Sequence, residues 1–376
     1  MQLADSDEDS YKAENTFYFK HRGQYHIKQD SSHQAVQQSL DTAARLIIEA
    51  DAVIILAGAG MGVDMGLADF RSSKQFWVEL AHPHILKYEH ASNNAWFEKD
   101  PALAWGLNYG QLSSYRGAPI HDGYIILKLL AECKDTYCYT SNVDGVFKRA
   151  GFDPERVVET HGNIHRLQCT LGTDCPAKQL PWGARVELPY NPKTCRVTCP
   201  VEEMPRCPGC DALARPNLWF CTDRCYQYDA RSDCSAAYMA WAESLEPVDA
   251  TTDQDEDSDE GARTGVGGGG CGKPNQSKKV PQKAASATPN KPARRLVTIE
   301  CGAGMVIPSC RVEAEDRAGY CEGSLIRINP VDYGVPKDGE AGAPKQSVGI
   351  PMGSAEALRQ IAHRIPFLAG WREKGC

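Results

Sequence analysis

The amino-acid sequence predicts an α/β protein whose core is a Rossmann-like parallel sheet, with a small module inserted into that domain. Three observations support the prediction. Short apolar runs, beginning with AVIIL at 52–56, alternate with segments of helical period, as parallel α/β sheets require. A glycine-rich segment follows the first apolar run directly. Between residues 169 and 210, Cys, Pro and short polar pieces replace the alternation, which marks the insertion.

The elements of the sheet can be located in order along the chain. Leu40, Ala43, Leu46 and Ile47 recur at helical spacing before AVIIL, so a helix leads into the first strand. The later predicted elements are a helix at 121–135, strands with their exit loops at 136–144 and 155–163, strands at 296–300 and 324–330, and an amphipathic helix at 354–365.

Changes in composition predict the domain boundaries. Residues 1–38 are polar and without a sustained period, so we expect a loosely ordered extension. An acidic block, a glycine tract and a Lys/Pro/Ser/Ala stretch at 247–295 cannot bury enough apolar surface to fold, which predicts a disordered insertion. The predicted sheet domain then spans 39–166 and 296–370, the module 167–212, and a return to the core 213–246.

Composition also limits which cellular compartments and binding partners we expect for this protein. The chain has 376 residues, of which 42% are hydrophobic, so it can build a core, yet no apolar stretch is long enough to cross a membrane. The N-terminus is acidic where a signal or presequence would be basic, so we expect an intracellular protein, cytoplasmic or nuclear. A net charge of −8 does not favour direct binding of nucleic acid. The acidic part of the insertion could attract a basic protein partner.

The glycine-rich segment AGAGMGVDMGLADFR at 57–71 departs from two common nucleotide-binding patterns. Gly58 and Gly60 are followed by Val63, so the G-x-G-x-x-G fingerprint of dehydrogenases is missing. No Gly-Lys-Ser/Thr follows either, which argues against the phosphate loop of NTPases. On this segment alone, a tight turn without a ligand remains an alternative to a backbone cradle for a pyrophosphate.

Other short motifs also follow predicted strands. They are TSNVDG at 140–145, THGNIH at 160–165 and CGAG at 301–304. Together with the glycine-rich segment, this order resembles the sirtuin family over about residues 40–225 and 295–365. The chain is most similar to a branch with the loop GAGMGVDSGLPDFR, because it also carries AGFDPER at 150–156, ARPN at 214–217 and LIRINP at 325–330.

The resemblance implies an NAD-dependent protein lysine deacylase, or deacetylase, which transfers the acyl group of acyl-lysine to ADP-ribose and releases nicotinamide. His161 would be the general base, because imidazole exchanges protons near neutral pH. Asn142 would order a water and Asp144 would recognise the nicotinamide amide. From the residues alone, His161 could instead be a strand-end hydrogen-bonding residue, and NVDG an ordinary turn. The resemblance assigns NAD contacts to Gly58, Ala59, Gly60, Gly66, Asp69, Phe70, Arg71, Ser141, Asn142, Asp144, Gly302, Ala303, Gly304 and Asn329.

Cysteine spacing predicts that the inserted module binds zinc. Cys207 and Cys210 form a Cys-x-x-Cys knuckle, and Cys169 and Cys175 would complete a tetrahedral thiolate site. Cys195 and Cys199 are rivals for the second pair, since their spacing also suits zinc and they lie closer to the knuckle in the sequence. In the family this zinc is structural.

Three departures from the branch pattern bear on the substrate. Ala68 replaces a proline, Met65 replaces a serine, and LWFCTDRCY at 218–226 replaces the segment that pairs with the substrate peptide in sirtuins. The expected partner is an acyl-lysine protein or peptide facing residues 213–246. A weakened acceptor site would give an NAD hydrolase or ADP-ribosyltransferase instead, and a binding protein that retains NAD without turnover is a second alternative.

Overall fold

The computed structural model describes residues 26–27, 30–67, 85, 87–183, 185–221, 223–228, 234–247, 294–337 and 342–371. The predicted extension up to residue 25, the Asp-Phe-Arg segment and most of the predicted insertion lie outside these residues. Arg294 and Arg295, which the sequence placed in the insertion, lead directly into a strand. Their guanidinium groups form ion pairs with Asp135 at 2.8 Å and with Asp51 at 3.1 Å.

A six-stranded parallel sheet forms the core of the molecule, which confirms the predicted fold class. Its strands are β2 (Ala52–Ala57), β3 (Asp135–Thr140), β4 (Val157–Glu159), β10 (Leu296–Cys301), β11 (Ser324–Ile328) and β13 (Gln346–Ile350). The spatial order is β13-β11-β10-β2-β3-β4, and every neighbouring pair is parallel. β2 lies next to the centre and is buried along its whole length, as its continuous apolar run predicts.

Helices cover both faces of this sheet. One face packs against α1 (His33–Glu49), α6 (Asp122–Cys133) and α10 (Ser354–Ala362), and the other against α8 (Ser235–Glu243) and α9 (Ser309–Tyr320). Helix α1 begins inside the segment that we had assigned to the polar extension. The reason is local, because the Ser32 hydroxyl caps the helix by accepting a hydrogen bond from the amide of Ala35.

The inserted module is a second, smaller core built on antiparallel strands. β6 (Trp182–Gly183), β5 (Gly162–Cys169) and β9 (Ala214–Leu218) pair in that order, and β7 (Tyr190–Asn191) pairs with β8 (Arg196–Val197). Helix α5 (Pro101–Gly117) packs against this module through the buried Trp105. The module therefore uses residues from 96 to 117 and from 162 onwards, whereas the sequence placed its start at residue 167.

Short elements complete the described structure. They are the helices α2 (Gly60–Val63), α3 (Tyr88–Ala91), α4 (Trp96–Lys99) and α7 (Val146–Arg149), and the strands β1 (His26–Ile27) and β12 (Val335–Pro336). Four single 3₁₀ turns lie at Pro154–Arg156, Gly172–Asp174, Val201–Glu203 and Pro366–Leu368. Among the helices that the structure describes, none has the length and apolarity needed to cross a bilayer.

Candidate active site and metal centre

The predicted site residues gather at one edge of the parallel sheet. The carboxyl ends of parallel strands lie at the same edge, where α/β proteins bind ligands. Here β2 is followed by Gly58, β3 by Ser141 and Asn142, and β4 by Thr160 and His161. On the other side of β2, the strands β10 and β11 are followed by Gly302 and Asn329. Motifs that are distant in the sequence are therefore neighbours in space.

The two glycine turns pack directly against each other. A Cβ atom at Gly60 would lie 2.8 Å from the Cα of Gly302, and one at Gly302 would lie 2.3 Å from the amide nitrogen of Met61. A Cβ at Gly58 would approach the Cα of Ala303 to 2.6 Å. The amide of Gly60 donates to the carbonyl of Gly302 at 2.9 Å. Gly58, Gly60 and Gly302, which were predicted to contact the cofactor, must therefore be glycine because a side chain would clash with the other turn.

Two other glycines leave space beside the turns. Gly66 has a φ of +76° and Gly304 lies at the end of the second turn, and at both positions a Cβ would meet no atom within 4 Å. Ala59 is the N-cap residue of α2, between Gly58 and Gly60. A ligand can therefore approach the backbone at Gly304 without a steric barrier.

Asn142 ties the exit of β3 to the first glycine turn. Its side-chain amide donates to the carbonyl of Gly58 at 2.9 Å, and its backbone amide donates to the hydroxyl of Thr140 at 3.0 Å. The Thr140 hydroxyl in turn donates to the carbonyl of Ala57 at 2.8 Å. Asn142 is buried, so these bonds fix its orientation.

Asp144 is a buried carboxyl group at the same edge. It accepts a hydrogen bond from the amide of Val146 at 2.9 Å and is 7% exposed. Burial raises its pKa from 3.8 to about 6, because the charged form loses hydration that one amide does not replace. The backbone carbonyl of Asp144 accepts a hydrogen bond from Nε2 of His165 at 3.0 Å.

His161 is held by the pairing of β5 with β9. Gly162, beside it, has a φ of +84°, and a Cβ there would lie 2.1 Å from the carbonyl oxygen of Asn217. The His161 carbonyl accepts a hydrogen bond from the amide of Trp219 at 3.0 Å. The Trp219 ring stands edge-on to the imidazole, with centroids 6.1 Å apart, and the Trp219 residue is 56% exposed.

Asn329 closes the second glycine turn. Its side-chain amide donates to the carbonyl of Ala303 at 3.1 Å. Its side-chain oxygen accepts from the amides of Val331 and Asp332, each at 2.9 Å. The predicted residues Asp69, Phe70 and Arg71 lie outside the described part of the chain.

Two residues that the sequence analysis did not select also hold the first glycine turn. Nε2 of His121 donates to the carbonyl of Met61 at 2.9 Å, while its Nδ1 accepts from the amide of Gly123 at 2.9 Å. These partners fix the neutral tautomer, and burial lowers the pKa of His121. The Asp64 carboxylate caps α10 by accepting from the amide of Ala355 at 2.8 Å. The His121-Asp122-Gly123 sequence at the start of α6 could have indicated a helix cap. Asp64 and its partner Ala355 are 291 residues apart, so no local pattern predicts their contact.

Four cysteine thiols converge in the inserted module. The Sγ atoms of Cys169, Cys175, Cys207 and Cys210 all lie within 4.8 Å of one another. Three of the separations are 3.6, 3.7 and 3.9 Å. A tetrahedral zinc with Zn–S bonds of about 2.3 Å puts its sulfurs about 3.8 Å apart, so the cluster has the right size for zinc. Cys195 and Cys199 do not belong to this group; Cys195 Sγ instead lies 3.6 Å from the carbonyl of Pro192.

The segment 218–226, where the sequence departs from the sirtuin branch, is organised by a buried ion pair. Nη2 of Arg215 lies 2.6 Å from the Asp223 carboxylate, and both side chains are at most 1% exposed. Asp223 also accepts from the amide of Cys225 at 2.8 Å. A cavity of about 250 Å³ lies beside this segment and is lined by Thr160, Gly162, Tyr226, Tyr228, Tyr238 and Glu313, among others.

Comparison with known proteins agrees with this site. Residues 58–234 match the family model described as Sir2 family. It is 30% identical over 191 residues to an NAD-dependent protein deacylase of Thermococcus kodakarensis, covering 48% of this chain and 64% of that protein. It is 29% identical over 157 residues to an NAD-dependent histone deacetylase of Candida glabrata, covering 41% of this chain and 30% of that protein. The chain thus spans less than two thirds of these relatives.

Solved structures show the same fold. A crystal structure of a Sir2 homologue in complex with NAD superposes with a TM-score of 0.53 at 15% sequence identity, covering 94% of this chain and 100% of that one. A Sir2 homologue mutant with 2'-O-acetyl ADP ribose gives a TM-score of 0.51 at 16% identity, with coverages of 89% and 96%. The predicted resemblance to the sirtuin family is confirmed, while the assignment to one branch stays a prediction.

Proposed function

We propose that the chain is an NAD-dependent protein lysine deacylase, with acetyl-lysine as its simplest substrate. The reaction would transfer the acyl group to ADP-ribose and release nicotinamide. The observation that carries the proposal is the assembly of His161, Asn142 and Asp144 at one sheet edge, beside two interlocked glycine turns. The curated relatives named above are protein deacylases or deacetylases, which supports the same reaction class.

The residues at this edge fit NAD as the second substrate. The open backbone at Gly304 admits a phosphate or ribose group, and Asn329 stands on the same side of the site. Asp144 sits deeper, where a carboxylate can accept a hydrogen bond from the nicotinamide amide. Bound NAD would supply the ribosyl carbon that accepts the acyl oxygen, with nicotinamide as the leaving group.

The protein's own part in the chemistry is to move one proton and to exclude water. His161 is half-buried and its backbone is fixed, so its imidazole can take a proton from a ribose hydroxyl at a constant position. Asn142 is fixed by two hydrogen bonds to neighbouring backbone and side-chain groups. With a pKa of about 6, Asp144 is ionised at neutral pH and can act as an acceptor. Asp69, Phe70 and Arg71, which lie outside the described residues, are proposed as further NAD contacts.

The acyl-lysine peptide would lie along the chain that follows β9 from Leu218, where Trp219 is exposed. Within the described sheet β9 is an edge strand, because the order is β6-β5-β9, but its five residues are buried, so an extended peptide would pair with the chain beyond this strand. Zinc bound by Cys169, Cys175, Cys207 and Cys210 would hold the module that carries this strand. We further propose a cytoplasmic or nuclear location, and a basic protein partner for the acidic segment within 247–295.

The decisive experiment incubates the purified protein with NAD, with and without an acetyl-lysine peptide, and follows the products by mass spectrometry. His161→Ala is the test variant, and His363→Ala, at the C-cap of α10, is the matched control. Peptide-dependent nicotinamide release with O-acetyl-ADP-ribose, lost only in His161→Ala, supports deacylation. Release of free ADP-ribose without peptide would replace the proposal with NAD hydrolysis. Absence of nicotinamide release with acetyl and longer acyl peptides would favour a binding protein.

A further inference from the structure

Four charged side chains are buried beneath the second glycine turn. Glu300 and Arg327 stand opposite each other in the β10–β11 register, and Arg311 and Glu315 reach them from α9. Their exposures are 0%, 0%, 1% and 5%. Two glutamates and two arginines are neutral together, and buried charges are tolerated only when they are paired in this way.

Glu300 is the centre of this cluster. Nε of Arg327 donates to both of its carboxylate oxygens at 2.9 Å, and Nη2 of Arg327 donates to it at 2.7 Å. The same Nη2 donates to Glu315 at 2.7 Å. Nη2 of Arg311 lies 3.9 Å from Glu300. These charge-assisted, bidentate bonds hold Arg327 in one geometry, while Arg311 pairs with Glu300 at the longer distance.

Nη donors of both arginines reach two neighbouring loops. Nη1 of Arg327 donates to the carbonyl of Gly334 at 2.5 Å. Nη2 of Arg311 donates to the carbonyl of Asp332, and its Nη1 donates to the sulfur of Met305 at 3.1 Å. One buried cluster therefore anchors both the segment 329–334 and the residue that follows the second glycine turn.

We propose that Arg311, paired with Glu300, is a positioning residue that preforms the part of the crevice around Gly304 and Asn329, which the proposed function assigns to NAD. The inference rests on the proposed function and adds to it a determinant of NAD affinity that touches neither NAD nor peptide. Two loops fixed before binding lose less freedom when the ligand arrives, so the ligand binds more tightly. Arg311 is the useful member to change, because Arg327 can keep its hydrogen bonds to Glu300 and Glu315 without it.

The experiment compares Arg311→Met and Arg311→Lys with Arg364→Met, a control at the end of α10 whose guanidinium pairs with Asp41 at 2.7 Å. ADP-ribose affinity is measured by calorimetry, and KM for NAD, KM for peptide and kcat by nicotinamide release. We expect Arg311→Met to weaken ADP-ribose binding and raise KM for NAD about tenfold, the weight of one charge-assisted hydrogen bond. KM for peptide and kcat at saturating NAD stay near wild type.

Arg311→Lys keeps the buried positive charge and should fold even where the methionine variant does not. It should recover part of the lost ADP-ribose affinity, because one ammonium group cannot reach both loops. Unchanged ADP-ribose affinity in a folded Arg311 variant overturns the inference, as does an equal loss in Arg364→Met or a fall in kcat alone. If the wild-type protein binds neither ADP-ribose nor NAD, the proposed function fails and the inference fails with it.

Discussion

Replacing Gly302 with alanine tests whether the glycine turns are shaped by their contact with each other. Gly302 has a φ of +61°, and its Cβ would lie 2.3 Å from the amide nitrogen of Met61 and 2.4 Å from the carbonyl carbon of Gly60. Both neighbours are backbone atoms of the first turn, which hydrogen bonds hold to the sheet. Neither can rotate away as a side chain would, so the substitution must displace one turn.

Two costs add in Gly302→Ala. The left-handed backbone costs a residue with a Cβ about 1–2 kcal/mol. Forcing a methyl group into closely packed backbone costs about 1–3 kcal/mol more. Alanine also lowers the entropy of the unfolded chain, which stabilises the folded state by about 0.4–1 kcal/mol. We therefore expect Gly302→Ala to lower the free energy of unfolding by about 2–4 kcal/mol.

Gly304→Ala is the matched control, because it lies two residues away in the same turn and its Cβ would meet no atom within 4 Å. Its free energy of unfolding should stay within about 0.5 kcal/mol of wild type. The assay is urea denaturation of the zinc-loaded protein without NAD, followed by circular dichroism. The reasoning is refuted if Gly302→Ala is as stable as wild type, or if Gly304→Ala loses as much as Gly302→Ala. ADP-ribose affinity should fall in Gly304→Ala, where the new methyl group would occupy space open to the ligand.

Three further predictions concern other parts of the site. Because the pKa of Asp144 lies near 6 rather than 3.8, its ionisation removes wild-type stability as pH rises from about 4 to about 6, a loss of about 3 kcal/mol. Denaturation curves of Asp144→Asn across that pH range should lack this loss of stability, and its nicotinamide release should fall. If the stability of the variant and of the wild type changed with pH in the same way, Asp144 would not be the cause of the loss. We expect metal analysis of the wild-type protein to give one equivalent of zinc, which Cys207→Ser should abolish and Cys195→Ser should keep. Trp219→Ala should raise KM for the acyl-lysine peptide about 5–30-fold, from the loss of about 1–2 kcal/mol of apolar contact, and leave KM for NAD unchanged. An unchanged peptide KM would place the substrate elsewhere.

Local patterns in the sequence were enough to predict the parallel sheet and one half of the cysteine cluster. The run at 52–56 is apolar throughout, which fits only a strand covered on both faces, and β2 is such a strand. The knuckle at Cys207 and Cys210 fixed one half of the metal site. The choice between Cys169 with Cys175 and the nearer pair Cys195 with Cys199 needed the structure, because β5 and β9 bring distant segments together.

The limits of the small module were harder to predict, because its core is shared with helices that precede it by many residues. Trp105 on α5 is fully buried, and its indole nitrogen donates to the carbonyl of Ala214 on β9 at 3.1 Å. The sequence of α5 reads as an ordinary buried helix and does not reveal which core it joins. The buried cluster around Glu300 was equally hidden, since a charged residue in a predicted strand has no visible partner until β11 lies beside it.

The unusual spacing of the first glycine segment now has a physical explanation. In the dehydrogenase fingerprint the glycines admit a pyrophosphate and a closely packed helix. Here Gly58 and Gly60 face Ala303 and Gly302 of a second glycine turn, so the spacing satisfies contact between two turns. Among the glycines of these two segments, Gly66 and Gly304 have open space where a side chain would be. A missing G-x-G-x-x-G pattern therefore does not argue against a dinucleotide in this fold. Some of its glycines are needed for contact with the partner turn, and Gly304 leaves open space beside the backbone.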